Sequence, residues 1–134
     1  PLFYLILMVA IASCAARNSH DHEHHSADES TWEELDSFHL IMAESFHPFR
    51  DSANLEPAKA RASALMAAAS DWASAPLPEK VNNDTMRSRL EQLREQAATL
   101  AQSVKSQDDN AIGEMLTKLH DTFHEIEHAW YEED

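Results

Sequence analysis

The chain has 134 residues, with ten Lys and Arg against 24 Asp and Glu, nine His, one Cys and one Gly, for a formal net charge of −14 at pH 7. That length supports one domain with one core. The charge excludes nucleic acid as a partner, because phosphate neutralisation needs clustered cations. A single cysteine allows neither an internal disulfide framework nor a cysteine-based metal site.

Leu2 to Ala12 reads LFYLILMVAIA, an uncharged run shorter than the roughly 20 apolar residues that cross a bilayer. It suits the apolar segment of a secretory signal, whose basic segment would precede Pro1. Residues 1–13 are therefore read as an N-terminally truncated, cleaved export signal. Ile11-Ala12-Ser13-Cys14 resembles the bacterial lipobox. The resemblance implies that Cys14 receives diacylglyceryl and becomes the first residue of a lipid-anchored envelope protein. Ala15, where an Asp would favour inner-membrane retention, implies the outer membrane, facing the periplasm.

Residues 14–29 form the next unit. Ala15 to Glu29, AARNSHDHEHHSADE, has no apolar periodicity and is expected to be a flexible tether. His20, His22, His24 and His25 alternate there with Asp21 and Glu23. Imidazole and carboxylate together suit a borderline divalent cation such as zinc, nickel or copper. This stretch is read as a secondary, collecting arm.

Residues 30–134 carry four amphipathic helical patterns and predict an all-α, up-down-up-down four-helix bundle. Ser30-Thr31-Trp32-Glu33 fits a capping box at the start of the first helix. That helix places Trp32, Leu35, His39, Met42, Phe46 and Phe49 on one stripe, and Pro48 is expected to end or kink it after His47. The second helix follows Asn54 with Pro57 in its first turn. It carries Ala58, Ala62, Leu65, Ala69 and Trp72, and closes before Pro76 and Pro78. The third begins near Asp84 and carries Met86, Leu90, Leu93, Ala97, Leu100 and Val104. Asp108, Asp109 and Asn110 offer caps for a fourth, with Ile112, Leu116, Leu119, Phe123, Ile126 and Trp130 on its inner stripe. Gly113, inside that helix, points to close packing.

The chemistry-bearing residues are histidines. In LHDTFHEIEHAW, His120, His124 and His128 stand four apart on one ridge, the spacing by which a helix grips a transition metal with two ligands. Antiparallel docking of the first helix on the fourth sets His39 level with His120 and His124, and Met42 near His120. His47 falls too far along to join unless the helices slide. The expected metal ligands are thus His39, His120, His124, His128 and Met42. Glu34, Glu44, Glu125 and Glu127 are in range to complete a shell or orient a ring.

These features resemble small periplasmic metal-binding four-helix proteins, including sensors of cobalt-nickel resistance systems. The resemblance implies a divalent-metal role in sensing, buffering or resistance. In that family two first-helix histidines join a His and a Met of the last helix. Here His39 and His120 or His124 would be the counterparts, but Ala43 breaks the first-helix pair. More distantly the bundle resembles b-type and c-prime cytochromes. Without a CxxCH motif, that likeness implies a non-covalent haem held by Met42 and His120 or His124. A third reading is a helical envelope adaptor that binds a protein through a groove lined by Trp32, Phe46, Phe49 and Trp130. No nucleophile motif or acid-base constellation points to an enzyme.

Overall fold

The computed structural model describes residues 31–132. Their four long helices are α1 (Glu33–Ser52), α2 (Glu56–Ser74), α3 (Asp84–Ser106) and α4 (Asp109–Glu132), with one 3-10 turn at Glu79–Val81 between α2 and α3. Consecutive helices pack on one another and α4 closes back on α1. At one end of that closing seam Trp32 meets Trp130, and at the other Phe49 lies against Gly113. The two helices therefore run antiparallel, as an up-down-up-down bundle requires. None of the helices among the described residues is long and apolar enough to cross a membrane.

The core is continuous and apolar. It contains Leu35, Phe38, Met42, Ala62, Leu65, Ala69, Trp72, Leu90, Leu93, Leu100, Leu116, Leu119, Phe123 and Ile126. At the Trp130 end it is aromatic. Trp32 meets Trp72 edge-on at 5.2 Å and Trp130 at 5.3 Å, while Phe38 lies 5.5 Å from Trp72 and 5.6 Å from Phe123. Alanines on α2 let its backbone approach its neighbours, and the large rings of α1 and α4 fill the space.

The helix ends follow from local chemistry. Asn83 caps α3 by accepting from the Met86 N–H at 2.8 Å. Asp108 accepts from the N–H groups of Asn110 and Ala111 at the start of α4. Pro57 occupies the first turn of α2, where its missing N–H costs nothing.

Three local expectations for α1 change. The helix begins at Glu33, with Trp32 in the cap position and no side-chain cap bond, in place of a capping box on Ser30. The Trp32 indole is drawn into the aromatic cluster, and its backbone is extended accordingly (φ −115°, ψ 96°). Pro48 does not end the helix, which runs on to Ser52. Proline removes one N–H, and only one further turn follows it. The Pro48 carbonyl accepts from Ser52 Oγ and from the Asn54 N–H, while Ala53 closes the turn in a left-handed conformation (φ 53°).

The third change bears on function. Phe38, not His39, fills the inner stripe of α1, and His39 is exposed. Positions three and four beyond Leu35 both border the seam, and the apolar side chain takes the inner one. Ser45 is also buried, its hydroxyl satisfied by donating to the Ile41 carbonyl.

Candidate metal centre

Helix α4 presents its three histidines at increasing distance from the core. The side chain of His120 is 21% exposed, that of His124 55% and that of His128 71%. The gradient comes from spacing. A four-residue step overshoots one helical turn by about 40°, so each imidazole sits further round than the last.

His120 and His124 converge. Their Nε2 atoms are 3.0 Å apart, with ring centroids 4.3 Å apart and planes at 79°. Phe46 of α1 stacks flat on His120, at 3.7 Å between centroids and 14° between planes. Behind the pair stand carboxylates, with Asp121 3.7 Å from His120 Nδ1 and Glu127 3.2 Å from His124 Nδ1. The Glu127 oxygen is buried and makes no hydrogen bond of good geometry, so its contact with His124 is a close electrostatic approach. Nonetheless it favours the Nδ1–H tautomer of His124, which leaves His124 Nε2 as the acceptor and His120 Nε2–H as the donor.

Such a pair resists protonation. Burial, and then the neighbouring His124 charge, holds the His120 imidazole below its ordinary pKa of 6.5, against the opposing pull of Asp121. A metal needs neutral imidazoles; His124 offers its Nε2 lone pair as it stands, and His120 would offer its own once its proton sits on Nδ1.

The other expected ligands are placed differently. His39 packs its ring against Phe123 at 5.2 Å, at the level of the pair, as its register predicted. Among the α1 histidines, however, it is His47 whose charge bears on His120. Phe46, the residue before it, is the α1 side chain that covers His120. Met42 is 1% exposed and belongs to the core. His128 turns outward and meets Glu132 at 2.9 Å. Glu44 pairs with Arg61 and Glu125 with Arg89, so both acids are already engaged by cations.

Among the described residues no group of three or more His, Cys, Asp or Glu side chains stands close enough to hold a metal ion. What is assembled is a two-imidazole site. His124 also lines a shallow cleft between α3 and α4, of about 650 Å³, with Arg89, Asp121, Glu125, His128 and Glu132. Solvent reaches His124 from that side. A second cleft of about 560 Å³ lies at the tryptophan end, with Lys80 over Trp130 at 3.8 Å, and no histidine lines it.

The rings proposed for an adaptor groove are largely inside. Trp32 and Trp130 are each 2% exposed and Phe46 9%, and Phe49 is packed on Gly113. Cys14, His20, His22, His24, His25 and Ser30 lie outside the described residues. No protein-family model matches this chain, and no curated protein or solved structure matches it either.

Proposed function

We propose that this chain is a lipid-anchored envelope protein whose helical bundle binds a divalent transition metal, zinc, nickel or copper, at His120 and His124. It does so in metal buffering, sensing or resistance and not in catalysis. The observation that carries the reading is the 3.0 Å approach of the two Nε2 atoms, each ring backed at Nδ1 by a carboxylate. Metal-ligating histidines are oriented in this way, the outer carboxylate fixing the tautomer and raising the basicity of the ligating nitrogen. In the metal-free protein one proton lies between the two nitrogens. A cation would take its place, the His120 proton passing to that ring's Nδ1, beside Asp121, so that both rings stay neutral.

The lipobox supplies the anchor at Cys14, and the His20–His25 stretch supplies further imidazoles that would collect metal for the bundle. Haem is the weaker reading, since an iron bound to His120 Nε2 would have to displace His124. Titration of zinc, nickel and copper into the full chain and into the His120→Ala, His124→Ala variant tests the proposal, with bound metal counted by elemental analysis after gel filtration. The wild type should retain one metal per chain beyond what the double variant retains. Equal retention would remove the bundle site.

A further inference from the structure

We propose that the cleft at the tryptophan end of the bundle binds a small organic cation, an alkylated or quaternary ammonium joined to an apolar group. This site is separate from the metal-binding reading above, since no histidine lines the cleft. Its volume of about 560 Å³ lies within the range of small-molecule pockets, about 300–1,000 Å³. Trp32 and Trp130 line it from α1 and α4, and Pro76, Leu77 and Pro78 line it from the connection between α2 and α3.

That connection is stiff. Each proline fixes its own φ, and the backbone is extended at Ala75 (ψ 154°) and at Pro78 (ψ 145°). The turn at Glu79–Val81 then folds back, the Val81 N–H donating to the Pro78 carbonyl at 3.1 Å and the Val81 side chain buried in the core. A rim held in place before binding lowers the ordering cost of a ligand.

The charge at the rim selects the ligand. Glu33, Glu34 and Glu79 line the cleft against one cation, Lys80. Lys80 Nζ lies 3.8 Å from the centroid of the Trp130 ring, well inside the roughly 6 Å at which an aromatic face attracts a cation. The fold thus sets an ammonium of its own on a tryptophan, the aromatic residue that holds cations best. A lysine ammonium is compact and strongly hydrated. An alkylated ammonium has fewer N–H groups to strip of water, so it gains by taking that place while Lys80, itself only half-buried, returns to solvent. The apolar part of the ligand would then cover Pro76, Leu77 and Pro78, which are all at least partly exposed. Three carboxylates disfavour an anion, and a neutral molecule has nothing to offer the ring face that Lys80 does not already supply.

Benzyltrimethylammonium is titrated into the full chain while the indole N–H signals of Trp32, Trp72 and Trp130 are followed by NMR. The signals of Trp32 and Trp130 should shift to saturation, and more than that of Trp72, which does not line the cleft. Choline should bind at least about threefold more tightly than dimethylbutanol, its uncharged carbon isostere. Lys80→Gln should tighten benzyltrimethylammonium by about tenfold, because the resident cation is gone. The Glu33→Gln, Glu79→Gln variant should weaken it. No saturable shift at Trp130 in either the wild type or Lys80→Gln would overturn the proposal. Equal binding of choline and dimethylbutanol, or an affinity for benzyltrimethylammonium that Lys80→Gln leaves unchanged or lowers, would overturn it as well.

Discussion

Two faces of the same helix, α4, obey different rules. Inward, Leu116, Leu119, Phe123, Ile126 and Trp130 are sealed against three other helices. Their positions follow from the helical period and from the cost of leaving large apolar surfaces in water. Outward, His120, His124 and His128 rise from the seam into solvent, and their arrangement follows from a few specific contacts: a stack on Phe46, a shared proton, and two nearby carboxylates. The first face decides whether the protein is folded. The second carries the proposed metal site. Phe123 belongs to both, touching Phe38 and Trp72 inside while His39 and His124 flank it at the rim.

The largest effect that separates the faces is expected from Trp72→Ala. That ring is 1% exposed and sits against Trp32, Phe38 and Phe123. Its loss should destabilise the bundle by about 3–5 kcal/mol, the range for large aromatic deletions in a core. Chemical denaturation measures this. Metal affinity under conditions where the variant remains folded should be unchanged, because no tryptophan contacts the histidine pair. A large loss of affinity without unfolding would show that the two faces are coupled.

That inner face was legible in advance because it is periodic. The four-helix architecture, the start of α3 near Asp84, the cap at Asp108 and the stripes of α2, α3 and α4 all follow from spacing and end signals. The errors concentrated in α1, where competing signals overlapped. His39 and Phe38 are neighbours on the seam, and only packing chose between them. The helix starts at Glu33 with the buried Trp32 in the cap position, and the expected capping residue Ser30 lies outside the described residues. The histidine site was half legible. The i,i+4 pair on α4 came from spacing alone. The burial of Met42 agrees with its place on the α1 stripe, whereas the stack of Phe46 on His120 depends on how two helices meet, and no period in one helix encodes that.

Single substitutions on the outer face should barely affect folding. His120→Ala should cost about 1 kcal/mol, since it removes a ring stacked on Phe46. His124→Ala should stay within about 0.5 kcal/mol, as expected for a largely exposed side chain. Both should abolish metal retention at the bundle. Thermal melts beside metal titrations would show the two readouts moving independently, the reverse of the Trp72→Ala pattern.

A smaller effect sharpens the account of the seam. An alanine Cβ at position 113 would stand 3.1 Å from the tip of the Phe49 ring. Gly113→Ala should therefore gain less in the wild type than the ~1 kcal/mol of helix propensity it offers. In a Phe49→Leu background more of that gain should return. A double-mutant cycle by urea denaturation checks it. Equal gains in both backgrounds would mean that Phe49 does not set the glycine.

The smallest expected effect is on stability against pH. The folded pKa of His120 lies below its ordinary value of 6.5, chiefly through burial. The unfolded chain therefore takes up that proton first. Stability is full above about pH 6.5 and falls as pH drops through the folded value. Urea midpoints near pH 8 and near pH 5 should thus differ more for the wild type than for His120→Gln. An identical difference in the two proteins would assign the pH dependence to other groups.

The most direct test of the central claim follows the imidazoles themselves. Substoichiometric copper(II) is added to the full chain at neutral pH while histidine ring signals are watched by NMR, the paramagnetic ion erasing those nearest to it. The signals of His120 and His124 should vanish together and first, with His128 persisting at the same copper ratio. Earlier loss of the His20–His25 signals, with His120 and His124 still sharp, would contradict the account and move the principal site off the bundle.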